Sequence, residues 1–217
     1  MTKIKICGLT TFKDAMFAHD EGADALGFVI DVPVNTPRKI SSRNAYAIIK
    51  RLPPYAVTVG VTIPSDVNEV LRIIKETRID AIQIHGNSTS LMIQEVKRKK
   101  NVKIIRCYSI DANTDINAAI ETIGNYIENG ADGILLDTKG EKNAGGTGRK
   151  HDWGKSKEIK DSFICPFILA GGLNPDNVLD AIRMVEPYAV DVASGVESTP
   201  GIKDRNKIKK FIQNVRK

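Results

Sequence analysis

Eight short apolar runs recur along the 217 residues, and helix-like segments separate them. The runs are Lys3–Cys7, Ala25–Ile30, Ala56–Val61, Ala81–His85, Lys103–Tyr108, Gly133–Asp137, Pro166–Ala170 and Ala189–Ala193. Between them, Val67, Val70, Leu71 and Ile74 fall on one helical face, as do Ile116, Ala119, Ile120, Ile123 and Ile127. Val178, Ala181, Ile182 and Val185 repeat the pattern, and Leu91, Ile93 and Val96 follow it less well. Asn174-Pro-Asp-Asn supplies a helix start with proline at an early position, and Ile208 to Val215 closes the chain. Strict alternation of strand and helix argues for a parallel sheet. Eight units of about 27 residues predict an α/β fold, a single-domain (β/α)8 TIM barrel over residues 1–217, near the lower size limit for that architecture. An open doubly wound sheet is the alternative, but it usually carries a glycine fingerprint after its first strand. Here Gly8-Leu-Thr-Thr follows the first run, and glycine-rich ends come only after the sixth, seventh and eighth.

Composition narrows the function classes. No apolar run reaches the 18 residues that a transmembrane helix would need. The N-terminus enters strand-like sequence directly without a signal-peptide core, so a cytoplasmic protein is expected. The three cysteines, Cys7, Cys107 and Cys165, form no CxxC pair and no ligand spacing with His19, His85 or His151. A disulfide framework and a zinc site are therefore not expected, and each cysteine is by default a small buried hydrophobe. The net charge of +6 suits either an anionic small substrate or nucleic acid. The basic clusters, Lys97 to Lys100 and Lys203 to Lys217, read as solvated outer helix faces. Aromatics are few and not interleaved with them, so no nucleic-acid stacking platform is evident.

In a barrel, chemistry comes from the C-terminal ends of the strands. Those ends carry Cys7-Gly8, then Thr36-Pro37-Arg38 in the loop after the second run, His85-Gly86, Asp137, Gly171-Gly172 and Ser194-Gly195. Asp137 caps a hydrophobic strand, Gly133-Ile-Leu-Leu-Asp137, and precedes the glycine-rich stretch Gly145-Gly-Thr-Gly148. It reads as a catalytic acid or as a turn cap. Gly171, Gly172, Ser194 and Gly195 can turn backbone N–H groups toward an anion, which predicts a phosphate site. Cys7 can act as base or nucleophile if its thiolate is favoured, or it packs the core. Side chains alternate along a strand, so Lys3, Lys5 and Cys7 share a face, as do Asp191, Ala193 and Gly195. Closure of the barrel makes the first and last strands neighbours. A buried Lys5–Asp191 pair is then expected, with the lysine helping to hold Cys7 as thiolate.

Taken in order, these motifs resemble those of phosphoribosylanthranilate isomerases of tryptophan biosynthesis. The resemblance covers nearly the whole chain. It rests on Lys5-Ile-Cys7-Gly8-Leu-Thr, Ala25-Leu-Gly-Phe-Val, Thr-Pro-Arg38, Gln83-Ile-His85-Gly86, Leu136-Asp137 and Gly145-Gly-Thr-Gly148. It continues through Asp152-Trp153, Leu169-Ala-Gly-Gly-Leu173, Asn177-Val178, Val190-Asp-Val-Ala-Ser-Gly-Val-Glu197 and Pro200-Gly-Ile-Lys-Asp204. The resemblance implies a (β/α)8 barrel and an Amadori rearrangement of N-(5-phosphoribosyl)anthranilate. It implies no cofactor and no metal, a phosphorylated small-molecule substrate, no nucleic-acid or membrane partner, and a monomer or homodimer. By the same resemblance Cys7 is the general base and Asp137 the general acid. Arg38 holds the anthranilate carboxylate and the glycine ends hold phosphate; His85 and Asp191, from their places at strand ends, are further substrate-binding candidates. Thr36 stands where serine is usual, Asp31-Val-Pro-Val-Asn lacks an aromatic common there, and His151 replaces a phenylalanine. The lysine and glutamate constellation of indole-glycerol-phosphate synthases, another phosphate-binding barrel family, is not found.

Overall fold

The computed structural model describes residues 1–138 and 152–217. Gly145–Gly148 and His151 lie outside the described residues.

Among the described residues, eight parallel strands close into a barrel with the order β1-β9-β8-β7-β6-β5-β4-β2, and β2 pairs back to β1. These are β1 Lys3–Ile6, β2 Ala25–Ile30, β4 Val57–Thr62, β5 Ala81–Ile84, β6 Lys103–Ile110, β7 Gly133–Thr138, β8 Phe167–Leu169 and β9 Ala189–Val192. A two-residue strand, β3 (Lys39–Ile40), extends the sheet beside β2. Among the described residues eight helices surround the barrel: α1 Phe12–Asp20, α2 Ser42–Ile49, α3 Val67–Thr77, α4 Ser90–Lys99, α5 Ile116–Glu128, α6 Trp153–Asp161, α7 Val178–Val185 and α8 Arg205–Val215. The expected strands differ at their ends by one or two residues. Cys7, His85 and Ala170 each fall just past a strand, yet their N–H groups still donate across it, to Val192, Thr62 and Leu136. No described helix is long and apolar enough to cross a membrane.

Strand parity divides the apolar residues into two layers. Ile4, Ile6, Leu26, Phe28, Ile82, Ile84 and Ile134 point outward into the layer shared with the helices. Cys107, Leu135, Ile168, Ala170 and Ala189 pack inside the barrel. Helix starts follow capping chemistry: Thr11, Ser41, Asp66, Thr89, Asp115 and Asp204 each accept a first-turn N–H. After β9 comes a short 3-10 turn, Ser194–Val196, and then a small hairpin of β10 (Glu197–Thr199) and β11 (Ile202–Lys203). The periodicity of the sequence gives no sign of that hairpin, and it proves central to the site.

Candidate active site

A cavity of about 170 Å³ opens at the C-terminal end of the barrel. It is lined by Cys7, Arg38, Gln83, His85, Asp137 and Asp191, with an apolar wall that includes Val32, Val34 and Leu135. Five residues expected at the site, Cys7, Arg38, His85, Asp137 and Asp191, therefore converge on one space from five separate strand ends and loops. Val32 and Val34 occupy the segment that lacks an aromatic.

Lys5 and Asp191 stand opposite each other in the β1–β9 register, and Lys5 Nζ donates to Asp191 Oδ1 at 3.0 Å. The pair inferred from strand parity thus forms, deep in the barrel. Burial would lower the lysine pKa, but Asp191 and Cys7 hold it above its ordinary value. The thiolate expectation fares differently. Burial pushes the Cys7 thiol up, and Lys5 and Lys203 pull it back only in part, so Cys7 rests as a thiol. Burial, aided by the nearby Asp191 charge, pushes the Asp137 carboxyl up to about 6, against the pull of the Thr138 N–H and Lys5. His85 is driven down to about 3 by burial and by the charges of Lys5 and Arg106, so its imidazole is neutral. The Gln83 side-chain amide meets His85 Nε2 at 2.6 Å.

Arg38 is held by a residue to which sequence analysis gave no role. Its Nε and one Nη donate to Glu197 Oε1 and Oε2, at 2.8 and 2.6 Å. Glu197 also accepts from Lys203 Nζ at 2.9 Å and from the Gly201 N–H at 3.1 Å. Burial works against that carboxylate, but hydrogen bonds from Arg38 and Lys203 hold it below the ordinary glutamate range. The β10–β11 hairpin therefore serves to present one buried carboxylate to Arg38. Gly8 completes the arrangement: its φ is +72°, and an added Cβ would sit 2.8 Å from Arg38 Cδ.

The expected phosphate residues form a second cluster. The loops after β8 and β9 touch, because a Cβ on Gly195 would collide with the Leu173 carbonyl oxygen. Gly171 and Gly172 both have positive φ, and Gly171 packs against Thr138, next to Asp137. Asn177 clamps this turn, donating to the Gly172 carbonyl at 3.0 Å and accepting from the Asn174 N–H. Ala193 lines the cavity; Gly171, Gly172, Ser194 and Gly195 do not, and lie beside it.

One grouping was hidden by sequence spacing. His85 just past β5, Cys107 within β6 and Asp137 near the end of β7 bring ligand-type atoms within 4.8 Å of one another. Separation along the chain does not reveal such contacts, because strand register creates them.

The chain matches the family model described as N-(5'phosphoribosyl)anthranilate (PRA) isomerase over residues 4–214. It belongs to the phosphoribosylanthranilate isomerase family. Relatives include N-(5'-phosphoribosyl)anthranilate isomerase 1 of Methanosarcina mazei, 41% identical, with 99% of this chain and 95% of the relative covered. The isomerase of Methanocaldococcus jannaschii is 37% identical, covering 100% of this chain and 98% of its own. Among solved structures, the phosphoribosylanthranilate isomerase of Thermotoga maritima superposes with a TM-score of 0.87 at 37% identity, covering 100% and 99% of the two chains. Another isomerase structure, in complex with reduced 1-(o-carboxyphenylamino)-1-deoxyribulose 5-phosphate, gives 0.84 at 36% identity, with the same coverage. The fold and its enzyme class, an isomerase of tryptophan biosynthesis, are thus those of the phosphoribosylanthranilate isomerases.

Proposed function

We propose that the chain converts N-(5-phosphoribosyl)anthranilate to 1-(2-carboxyphenylamino)-1-deoxyribulose 5-phosphate, with Asp137 as general acid and Cys7 as general base. The observation that carries this reading is one cavity holding Cys7, Asp137 and Arg38 together, with the Asp137 carboxyl raised to about 6. Asp137 gives its proton to the ribose ring oxygen as the bond from C1′ to that oxygen breaks, leaving a protonated Schiff base. Cys7, as thiolate, then takes the proton from C2′, and the electrons flow into the C=N bond. The resulting enol gains a proton at C1′ and loses one from its C2′ hydroxyl, which yields the ketone. Two proton transfers at different atoms need two groups, and a raised carboxyl is suited to donate near neutral pH.

The planar Arg38 guanidinium, fixed by Glu197, offers charge to the anthranilate carboxylate. Neutral His85 and the Asp191 carboxylate face the substrate from the cavity wall. Gly171, Gly172, Ser194 and Gly195 receive the phosphate with backbone N–H groups.

The test is the loss of substrate fluorescence with purified protein and three variants. Positioned acid or base groups supply roughly 10²–10⁴-fold, so Asp137→Asn and Cys7→Ser should each cut kcat at least that much while remaining folded. Arg38→Ala should raise KM by the roughly tenfold to hundredfold that 1.5–3 kcal/mol represents. A folded Asp137→Asn with near wild-type kcat removes the acid assignment. An unchanged KM in Arg38→Ala removes Arg38 from the substrate.

A further inference from the structure

Cys107 is a buried thiol that the isomerase chemistry leaves unused. It faces the barrel interior from β6, flanked in register by β5 and β7, whose ends carry His85 and Asp137. Imidazole nitrogen, thiol sulfur and carboxylate oxygen, all within 4.8 Å of one another, are the donor types zinc selects. A zinc ion sits about 2.0–2.3 Å from such donors, so small side-chain rotations toward a common point would bring all three onto one ion. His85 and Asp137 line the cavity, and Cys107 reaches to within 4.8 Å of both from the packed interior. A second observation points the same way. Gln83 is buried, its amide touches His85, and its Oε1 has no hydrogen-bond partner among the described residues. Turning that amide over lets Oε1 accept the imidazole N–H and fixes the tautomer that presents the other ring nitrogen to a metal. Metal-ligating histidines habitually have this outer support. Charge balance is favourable as well: thiolate and carboxylate neutralise a divalent ion. Of the neighbouring cations, Lys5 is paired with Asp191, and Arg106 is spread over the carbonyls of Ile84, Gly86, Ser88 and Cys107.

We propose that His85, Cys107 and Asp137 form a three-donor site for a zinc-class divalent cation at the barrel mouth, and that filling it inhibits the enzyme. Binding forms metal–sulfur, metal–nitrogen and metal–oxygen bonds, and the thiol proton leaves to solvent. The site itself does not depend on the isomerase reading. The inhibition does, because the ion takes the carboxylate that must carry the acidic proton.

Cobalt(II), a coloured surrogate for zinc, tests the site directly. Titrated into the purified wild-type chain it should raise a thiolate-to-cobalt charge-transfer band that zinc abolishes. The band should vanish in Cys107→Ala and persist in Cys7→Ser, which separates the two cysteines of the barrel. Cys107→Ala should keep its isomerase activity, while its zinc inhibition weakens by at least the roughly 10–100-fold that loss of even an outer-shell partner costs. A chelator should restore the wild-type rate. No band in the wild type, a band retained in Cys107→Ala, or a band lost in Cys7→Ser each overturns the site. A band that follows Cys107 while zinc leaves turnover unchanged overturns the inhibition. Absence of any isomerase activity defeats the functional reading alone, since the band reports the site without turnover.

Discussion

Asp137 and Cys7 rest in the opposite protonation states from those the proposed mechanism needs. The carboxyl titrates at about 6, so it is mostly ionised at neutral pH, and burial keeps Cys7 protonated. The productive form, neutral Asp137 with ionised Cys7, is therefore a constant minority between the two pKa values. Below about 6 the carboxyl is already protonated, and raising the pH only adds thiolate, so the rate climbs. Above the thiol pKa the thiolate is complete, and raising the pH only removes the acid, so the rate falls. The kcat/KM profile should be a bell whose rising limb breaks near 6 and reports Asp137, the proposed acid. Asp191 raises both groups. Asp191→Asn should then move both limbs to lower pH, with Lys5 as an uncompensated cation adding to the shift. A variant that stays active with both limbs in place would separate Asp191 from the pair.

At the level of elements, a repeated device closes the opposite end of the barrel. Asp24, Asp80 and Asp132 stand just before β2, β5 and β7. Each accepts the backbone N–H of a residue on a neighbouring strand, Ile4, Thr58 and Ile104, at 2.9, 2.8 and 2.8 Å. Asp132 also takes Lys97 and Lys103. Burial works against this carboxylate, yet those hydrogen bonds hold it below the ordinary aspartate range. A depressed carboxyl contributes stability above its unfolded pKa of about 3.9 and loses it as pH falls through the lower folded value. Asp132→Ala leaves the Ile104 N–H unpaired and should cost about 1–3 kcal/mol at pH 7, read as a lower urea midpoint. The gap from wild type should close in strong acid; equal midpoints at pH 7 would show the device to be idle. Much at this scale was legible in the sequence. Period-two alternation plus barrel closure is enough to set Lys5 against Asp191, the register that forms. Helix α6 buries only Trp153, Ser156 and Ile159, too sparse a stripe to show as periodicity. Glu197 was hidden for another reason, since its partner Arg38 lies 159 residues away and its strand has three residues. Cys107 reads as a small hydrophobe until the register of three strands is known.

The molecule as a whole carries a charge of +6, and its distribution decides what that charge does. Helices of the barrel run antiparallel to the strands, so Lys97, Arg98 and Lys99 in the last turn of α4 lie at the end away from the cavity. The start of α8 lies at the cavity end, where Lys207 donates to the Glu197 carbonyl and Lys210 pairs with Asp176 beside the Gly172 turn. Within the mouth, Arg38 and Lys203 share one carboxylate, Glu197, so that cluster carries one surplus positive charge opposite the Asp137 carboxyl. A substrate bearing both carboxylate and phosphate should be drawn to that rim over distances beyond contact. Exposed charges are screened within about 10 Å at 0.1 M salt, whereas the buried Lys5–Asp191 pair is much less affected. Raising ionic strength should therefore lower kcat/KM, which includes capture, and leave kcat nearly flat, because the proposed acid and base, Asp137 and Cys7, are largely shielded from solvent. The measurement is a salt series at constant pH on the wild type and on Lys207→Gln with Lys210→Gln. The double variant should start lower and respond less steeply. If kcat/KM is indifferent to salt in both, the rim does not steer the substrate, and the net charge serves solubility alone.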